Sequence, residues 1–179
     1  MEHFDYIVVG AGSAGCALAY RLAVSSDCSV LLLEAGSPAR NLLLHIPLGF
    51  AFLLKPHKNN WSYRTQAEPH LNQREIDLPR GKVLGGCSAI NGMVYVRGQA
   101  EDFDRWAALG NIGWSYNDVL PYFKRSEDCE NGANAYHGIN GRLWVGNVKN
   151  EFPICDDFIK AAQQAGHAFN QDINAATQE

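Results

Sequence analysis

Three glycines and one acidic residue near the N-terminus have the types and the spacing that can hold a pair of phosphates. Gly10, Gly12 and Gly15 form a Gly-x-Gly-x-x-Gly pattern after one apolar run, and Glu34 ends the next. Such glycines permit a tight turn, close approach of a ligand to the backbone, and close packing of a helix on a strand. The helix N-terminus can bind phosphate, and the acid can accept hydrogen bonds from ribose hydroxyls. The predicted dinucleotide contacts are Gly10, Ala11, Gly12, Ser13, Ala14, Gly15, Glu34 and Ala35.

A second glycine-rich element, residues 80–94, contains five small residues in a row from position 85 to position 89. Because the side chains of these residues are small or absent, a flat ligand can lie directly against the backbone. Ser88 could cap a following short helix, whose amides would then face that ligand. The residues alone leave two questions open: whether this element is only a tight turn, and whether the dinucleotide is FAD or NAD.

The hydrophobic pattern predicts the elements that position these residues. The short apolar run Tyr6–Val9 is typical of a buried parallel strand, residues 16–24 have helical spacing, and residues 30–33 supply a second strand. Further on we predict helices over residues 101–109, 117–126 (capped by Asn117 or Asp118) and 155–166, and a strand over 141–145. Two strands of clear parallel character are too few for a dinucleotide-binding sheet. The predicted fold class is therefore α/β, a Rossmann-like βαβ unit with irregular glycine-rich extensions and an incomplete sheet.

Residues 34–80 form an irregular segment with prolines at positions 38, 47, 56, 69 and 79. A long segment without regular structure inside a compact protein is usually functional. Its most apolar stretch, residues 42–54, is too short and too interrupted to span a bilayer. We expect this stretch to be buried against the rest of the protein, with peripheral contact to a membrane as the alternative.

The composition disfavours several classes of protein. Hydrophobic residues make up 46% of the chain, and the formal net charge of −4 disfavours nucleic acid as a partner. No signal-peptide pattern precedes the first strand, and the five cysteines form no C-x-x-C pair, which favours reduced thiols in the cytoplasm. The six histidines lack the spacing of metal ligands, so we assign no metal site.

The most specific pattern in the chain consists of Gly81, Lys82, Leu84, Gly85, Gly86, Ser88, Ile90 and Asn91, followed by Tyr95, Arg97 and Gly98. It resembles the first signature of the glucose–methanol–choline (GMC) oxidoreductase family. Other stretches similar to that family are residues 5–16, 33–36, 60–63, 102–106, 113–115, 120–123, 137–138 and 141–143. The resemblance covers nearly the whole chain and is nearest to the bacterial choline and alcohol dehydrogenases.

This resemblance implies FAD as the cofactor. It also implies an FAD-binding domain over residues 1–150 and the start of a substrate-binding domain over residues 151–179. By likeness, Glu34 would hold the adenosine ribose and Val83 would contact the adenine half. The flavin ring would be lined by Gly85, Gly86, Asn91, Gly92 and Val94, and Met93 is a further expected cofactor contact. Family members that bind FAD covalently carry a histidine where this chain has Ile90, so we expect FAD to be held non-covalently.

Enzymes of this family pass a hydride from the carbon of an alcohol to flavin N5, while a histidine near the C-terminus takes the hydroxyl proton. The resemblance therefore implies a small alcohol as substrate, choline or a primary alcohol, and leaves the electron acceptor open. The segments that carry this histidine are not found among the 179 residues. We name no catalytic residue, interpret His137 and His167 as surface or packing residues, and expect the chain alone to be inactive and poorly stable.

Three interpretations stay open at this point. We favour the N-terminal portion of an FAD-dependent alcohol or choline dehydrogenase. The others are a stand-alone flavin-binding module without catalysis and a family-related lyase. Continuation of the reading frame into the histidine segment would separate them. The expected location is the cytoplasm, with peripheral contact to the inner membrane as a further option.

Overall fold

A computed structural model of the chain describes residues 2–25, 27–149 and 152–178. The chain divides into two compact units, of which the first ends at Val94 and the second begins at Tyr95. Each unit is described by itself below.

The first unit opens with the predicted βαβ arrangement. Strand β1 (Tyr6–Val9) and strand β2 (Val30–Leu33) pair in parallel, with Tyr6 opposite Val30 and Val9 opposite Leu33. Helix α1 (Ser13–Ser25) connects them. All three predicted elements are confirmed. The helix begins earlier than the hydrophobic spacing predicted, because the small residues after the glycine turn already have helical geometry.

The rest of the first unit consists of short elements. Two 3₁₀ helices (Leu42–Leu44 and Pro47–Gly49) lead into helix α2 (Phe50–Leu53). Strand β3 (Tyr63–Arg64) pairs antiparallel with β4 (Asp77–Leu78), and further 3₁₀ helices cover Pro69–Leu71 and Gly86–Ala89. The apolar stretch at residues 42–54 is less buried than predicted. Leu53 is buried, whereas Leu42, Leu48 and Phe52 stay 69%, 71% and 58% exposed.

The second unit contains helices α3 (Ala100–Ala108), α4 (Tyr116–Ser126) and α5 (Pro153–Gln164). Its core is an aromatic cluster in which the ring of Phe103 lies 5.4 Å from Trp106, 5.7 Å from Phe123 and 6.4 Å from Tyr116. Ser115 caps α4 in a capping box with Asp118. The predicted cap at Asn117 or Asp118 is therefore wrong by two or three positions, because the serine hydroxyl accepts from the Asp118 amide.

A second parallel strand pair lies in this unit, and the sequence predicted one of its two strands, over residues 141–145, which is confirmed. Strand β5 (Glu127–Cys129) pairs in parallel with β6 (Leu143–Val145). β5 escaped prediction because its three residues, with two acids among them, carry no apolar run. Within the described residues there are three sheets of two strands each, which confirms the mixed α/β fold with an incomplete sheet.

Among the residues that the structure describes, no helix combines the length and the apolar character needed to cross a membrane.

Candidate functional site

The first glycine turn has the tight geometry that its sequence indicated. Gly10 has a φ of +97°, a left-handed conformation that favours glycine, and its amide donates to the carbonyl of Leu33 at 2.8 Å. A Cβ on Gly15 would lie 1.9 Å from the carbonyl oxygen of Gly10. The helix therefore packs against the turn at a distance that only glycine permits.

The first backbone amides of α1 make no hydrogen bond within the helix, which is the arrangement that binds phosphate at a helix N-terminus. The first helical hydrogen bond runs from the amide of Cys16 to the carbonyl of Gly12 at 2.9 Å. The amides of Ser13, Ala14 and Gly15 precede this bond, as the first amides of any helix do. They stand at the positive end of the helix dipole, where an anion is favoured.

The carboxylate of Glu34 is tied to the same turn. One oxygen accepts from the Ala11 amide at 2.8 Å, and the other accepts from the Gly36 amide at 2.8 Å. An ionised carboxylate has about four acceptor positions, so these two bonds leave room for hydroxyl donors. Glu34 thus stabilises the turn, a role that the sequence did not indicate, and still has acceptor capacity.

The second glycine element packs directly on the first. Gly86 has a φ of +59°, and a Cβ there would lie 2.7 Å from the Cα of Gly12. The Gly85 amide also donates to the carbonyl of Ala11 at 2.8 Å. Two glycine-rich stretches that are far apart in sequence therefore form one surface, which we call the glycine cradle (residues 10–15, 34–36 and 81–87).

Ser88 does not cap the short helix, contrary to prediction. The 3₁₀ helix Gly86–Ala89 contains Ser88 in its last part, and Gly85 is the capping residue. The Ser88 hydroxyl instead donates to the carbonyl of Gly85 at 2.7 Å. The hydroxyl bonds to a residue that precedes it in the chain, because the helix begins before Ser88 and not after it.

A cavity of about 650 Å³ opens along the cradle. Five predicted contacts line it, namely Gly10, Gly12, Glu34, Ala35 and Gly86. Sequence reasoning assigned no contact role to five further residues of its wall: Trp61, Tyr63, Arg80, Gly81 and Cys87. Trp61 and Tyr63 stack in parallel at 5.8 Å, and the Lys82 ammonium lies 4.4 Å from the Trp61 ring centre. Two aromatic residues in an otherwise irregular segment were the signal available for this wall.

The remaining predicted contacts do not line this cavity. Ala11 and Val83 are fully buried and do not line the cavity. Asn91 and Met93 line a smaller hollow of about 100 Å³ with residues 43–47 and 50, which are apolar apart from His45. Met93 has a φ of +61°, and its amide donates to the Asn91 side chain at 3.0 Å. Gly92 faces open space, and Val94 is 78% exposed.

The two histidines considered in the sequence have different environments. His167 is exposed. His137 is buried, with its ring between the carboxylates of Glu127 and Asp172. Of the two roles expected for His137, packing is therefore the one observed.

One buried group, Glu127, Cys129 and His137, has ligand-type atoms within 4.8 Å of one another. We assign this group to an ion-pair network rather than to a metal, because the Arg97 guanidinium already lies 2.9 Å from the Glu127 carboxylate. The sequence did not indicate the group, since the three positions match no metal-ligand spacing.

The comparison with protein families gives a match over residues 4–179, to the family described as GMC oxidoreductase. Among curated proteins, the chain is 50% identical over 177 residues to an oxygen-dependent choline dehydrogenase of Sinorhizobium fredii. The alignment covers 98% of this chain and 32% of that protein.

Solved structures of similar fold include two with more than 30% sequence identity to this chain. Pyridoxine 4-oxidase from Mesorbium loti has a TM-score of 0.84 and 33% identity, covering 90% of this chain and 32% of that one. An FAD-dependent oxidoreductase from Chaetomium thermophilum has a TM-score of 0.79 and 31% identity, covering 92% and 30%. The chain thus spans about a third of the length of the relatives that it matches.

Proposed function

The chain belongs to the GMC oxidoreductase family, and we propose that it forms the FAD-binding N-terminal portion of an enzyme that oxidises an alcohol. The proposed hydride donor is choline or a primary alcohol, by analogy with relatives named as choline dehydrogenases. The observation that carries the proposal is the contact between Gly86 and Gly12. This contact joins the two glycine elements into one cradle, which suits a ligand with a pyrophosphate at one end and a flat ring at the other.

The residues of the first turn suit the ADP half of FAD. The amides of Ser13, Ala14 and Gly15 would hold the pyrophosphate, and the open space around Gly10 and Gly12 would admit it. Glu34 would accept from the adenosine ribose with the lone pairs that Ala11 and Gly36 leave unused. We propose that Ala35 and the buried Val83 shape the adenine half.

The second glycine element suits the flavin half. The residues proposed to line the ring are Gly85, Gly86, Asn91, Gly92, Met93 and Val94. Gly85 and Gly86 have positive φ values, so the backbone at this point can adopt a turn that side chains would obstruct. The Asn91 carboxamide would keep the following residues in place through its bond to the Met93 amide.

We propose that FAD is held without a covalent bond. Ile90 occupies the position at which covalent members of the family carry a histidine, and the residue is 3% exposed. An isoleucine has no atom that can bond to the flavin. Acid or urea should therefore release free FAD, and flavin that stays with the precipitated protein would contradict this proposal.

FAD, when bound, would accept a hydride from the alcohol carbon at flavin N5. The proposed task of this chain is to bind and orient FAD, with residues 1–150 as the FAD-binding domain and residues 151–179 as the start of a substrate-binding domain. We assign no proton acceptor to this chain. By family resemblance, this group lies in the part of the relatives that the chain does not span.

Titration of apoprotein with FAD tests the cradle directly. A Cβ on Gly12 would meet only ordinary contact, 3.9 Å from the Gly86 Cα. Gly12→Val should therefore fold, yet it should lose the yellow chromophore because its side chain occupies the path of the pyrophosphate. Ala23→Val, an exposed change of similar size on α1, is the control. Full flavin absorbance in Gly12→Val would exclude the phosphate-turn assignment.

A second experiment tests the enzyme activity. The 179-residue chain, alone and joined to the sequence downstream in its reading frame, would be assayed for dye reduction with choline and with primary alcohols. We expect FAD-dependent turnover from the joined form only. Turnover by the 179-residue form would require a proton acceptor among its own six histidines. FAD binding without turnover by either form would favour a flavin-binding module or a lyase.

A further inference from the structure

The last described residues of the second unit, 170–178, form a segment that we call the C-terminal strap. The strap contains no helix or strand, and Asn174 is its one buried residue. The Asn174 carboxamide accepts from the Arg97 amide at 2.8 Å and donates to the Tyr95 carbonyl at 3.1 Å. This is the pattern that a neighbouring residue makes in a parallel strand pair. The strap is thus docked by polar contacts rather than by apolar burial.

Beneath the strap lies a buried ion pair. The Glu127 side chain has no exposed surface, and its carboxylate accepts from the Arg97 guanidinium at 2.9 Å and from the Gly138 amide at 3.0 Å. The guanidinium itself lies 5.2 Å from the Phe123 ring centre. A Cβ on Gly138 would lie 1.9 Å from the Lys124 carbonyl oxygen, so this amide can approach only as glycine. The carboxylate is therefore fixed from several sides.

His137 joins this ion pair to the strap. Its Nδ1 lies 3.0 Å from each Glu127 oxygen, and its Nε2 lies 2.8 Å from the Asp172 carboxylate. Ionised carboxylate oxygens only accept hydrogen bonds, so both ring nitrogens must donate. A neutral imidazole has one donor and would direct a lone pair at one of the two carboxylates.

We propose that His137 is a proton-operated latch: it holds the C-terminal strap while both ring nitrogens carry a proton, and it releases Asp172 when one proton is lost. Asp172 is the partner that yields, because its side chain is 38% exposed whereas Glu127 is fully buried and held by Arg97. His137 thus connects the buried pair of Arg97 and Glu127 to Asp172 of the strap. We call these four residues the Glu127 network.

Release would open a cavity in the second unit. The cavity has a volume of about 560 Å³, and residues 175–178 of the strap form one of its walls. The opposite wall consists of residues 99–101 at the start of α3, together with Tyr116 and Tyr136. Detachment of the strap would therefore widen this cavity and expose the backbone of Tyr95 and Arg97.

Other charged and titratable groups face the latch. The pKa of Tyr116 is raised, mainly because burial disfavours its phenolate, and Tyr136 adds to the rise while Arg97 opposes it. Arg97 stays charged at all relevant pH values. Cys129, within 4.8 Å of the Glu127 and His137 ligand atoms, is the remaining group that faces the ring. The direction follows from linkage: docking requires the bound proton, so strap stability is present at low pH and is lost as pH rises.

Hydrogen exchange of the strap amides tests the latch. Rates corrected for intrinsic pH dependence should rise about tenfold along a titration from acid to alkaline pH, relative to the amides of α4. Asp172→Asn should abolish this rise while keeping the strap docked, because a carboxamide can accept from the protonated Nε2 and donate to the neutral one. Asp156→Asn, an exposed change on α5, should behave as the unaltered chain.

A spectroscopic measurement completes the test. While the strap is docked, the nitrogen shifts of His137 should be those of an imidazolium, with both nitrogens protonated. A neutral tautomer with the strap docked would overturn the proposal, as would a pH-dependent strap in Asp172→Asn. Stabilisation by zinc chloride that Cys129→Ser removes would overturn it too, because the buried group would then be a metal site.

Discussion

The glycine cradle and the Glu127 network hold their surroundings by opposite means. The cradle works through side chains that are absent, since a Cβ on Gly15 or Gly86 would overlap backbone atoms. The network works through side chains that are present, long and charged, with Arg97 and Glu127 almost fully buried. The cradle is open to a ligand along its length, whereas the network already has its hydrogen-bond partners.

This difference explains why the sequence indicated the glycine cradle but did not indicate the contacts of the Glu127 network. Close backbone approach requires glycine at each contact, so the cradle leaves a dense, recognisable motif. A buried ion pair requires a partner only in space, and Arg97 and Glu127 can lie anywhere along the chain. We therefore expect substitutions that add atoms to disrupt the glycine cradle, and substitutions that remove atoms to disrupt the Glu127 network.

The largest effect is expected from removing the centre of the network. Glu127→Ala should lower the free energy of unfolding by about 3–5 kcal/mol, because it leaves Arg97 buried without its partner. Urea denaturation followed by circular dichroism would measure the loss. Glu130→Ala, directly after the same strand and exposed, should cost less than about 1 kcal/mol. Equal losses from both changes would mean that the network does not support the second unit.

An added methyl group in the cradle should have the next largest effect. Gly15→Ala places a carbon 1.9 Å from the Gly10 carbonyl oxygen, and forced overlap of this kind costs about 1–3 kcal/mol. We expect lower stability and no FAD binding, since α1 must move away from the turn. Gly92→Ala, where a Cβ has open space, should retain the unfolding midpoint of the unaltered chain. A Gly15→Ala variant of unchanged stability would show that the cradle tolerates added atoms.

Glu34 tests the boundary between the two kinds of region, because it is a charged side chain that supports a glycine turn. Glu34→Ala should weaken FAD binding by about 1–3 kcal/mol, since the ribose and the amides of Ala11 and Gly36 all lose an acceptor. Titration of apoprotein would give the dissociation constant. Glu75→Ala, which removes an exposed partner of Arg64, is the control. An unchanged dissociation constant would remove Glu34 from the site.

The smallest effect is expected at Asp5, at the start of β1. Hydrogen bonds from the backbone amide and the hydroxyl of Ser29 lower the pKa of this exposed carboxyl from its usual 3.8. Its stabilising contribution is therefore present above pH 3.8 and is lost as pH falls through the lowered folded-state pKa. Asp5→Asn should flatten the acid side of the thermal midpoint against pH, while Asp157→Asn on α5 should not. The same acid slope in both variants would contradict this assignment.

The sequence was informative where structure is local. The strands β1 and β2, helix α1 and the turn at Gly10 follow from hydrophobic period and glycine spacing, and all are present. The contact of Gly12 with Gly86 could not be predicted, because it depends on how the irregular segment at residues 34–80 returns the chain. Roles of the predicted cofactor residues likewise remain predictions until FAD is titrated.

The features that the sequence did not predict share a physical cause: each depends on geometry or on distant contacts that the residue types alone do not determine. The Ser115 cap of α4 was assigned too late, because Asn117 and Asp118 are also good capping residues and only the geometry selects among them. Strand β5 is stabilised by pairing with β6 rather than by apolar residues of its own. His137 lies in a polar loop that resembles a surface segment until its distant carboxylates are placed.

The Asn174 carboxamide has a further consequence for the behaviour of the chain in solution. Peptide groups at a free sheet margin can recruit strands from other molecules. The Asn174 side chain bonds the Arg97 amide and the Tyr95 carbonyl on either side of Val96, so it occupies two backbone groups of a segment that lies outside any strand. With Asn174 in place, a strand from another molecule would find neither group free for pairing, although Val96 itself is 56% exposed.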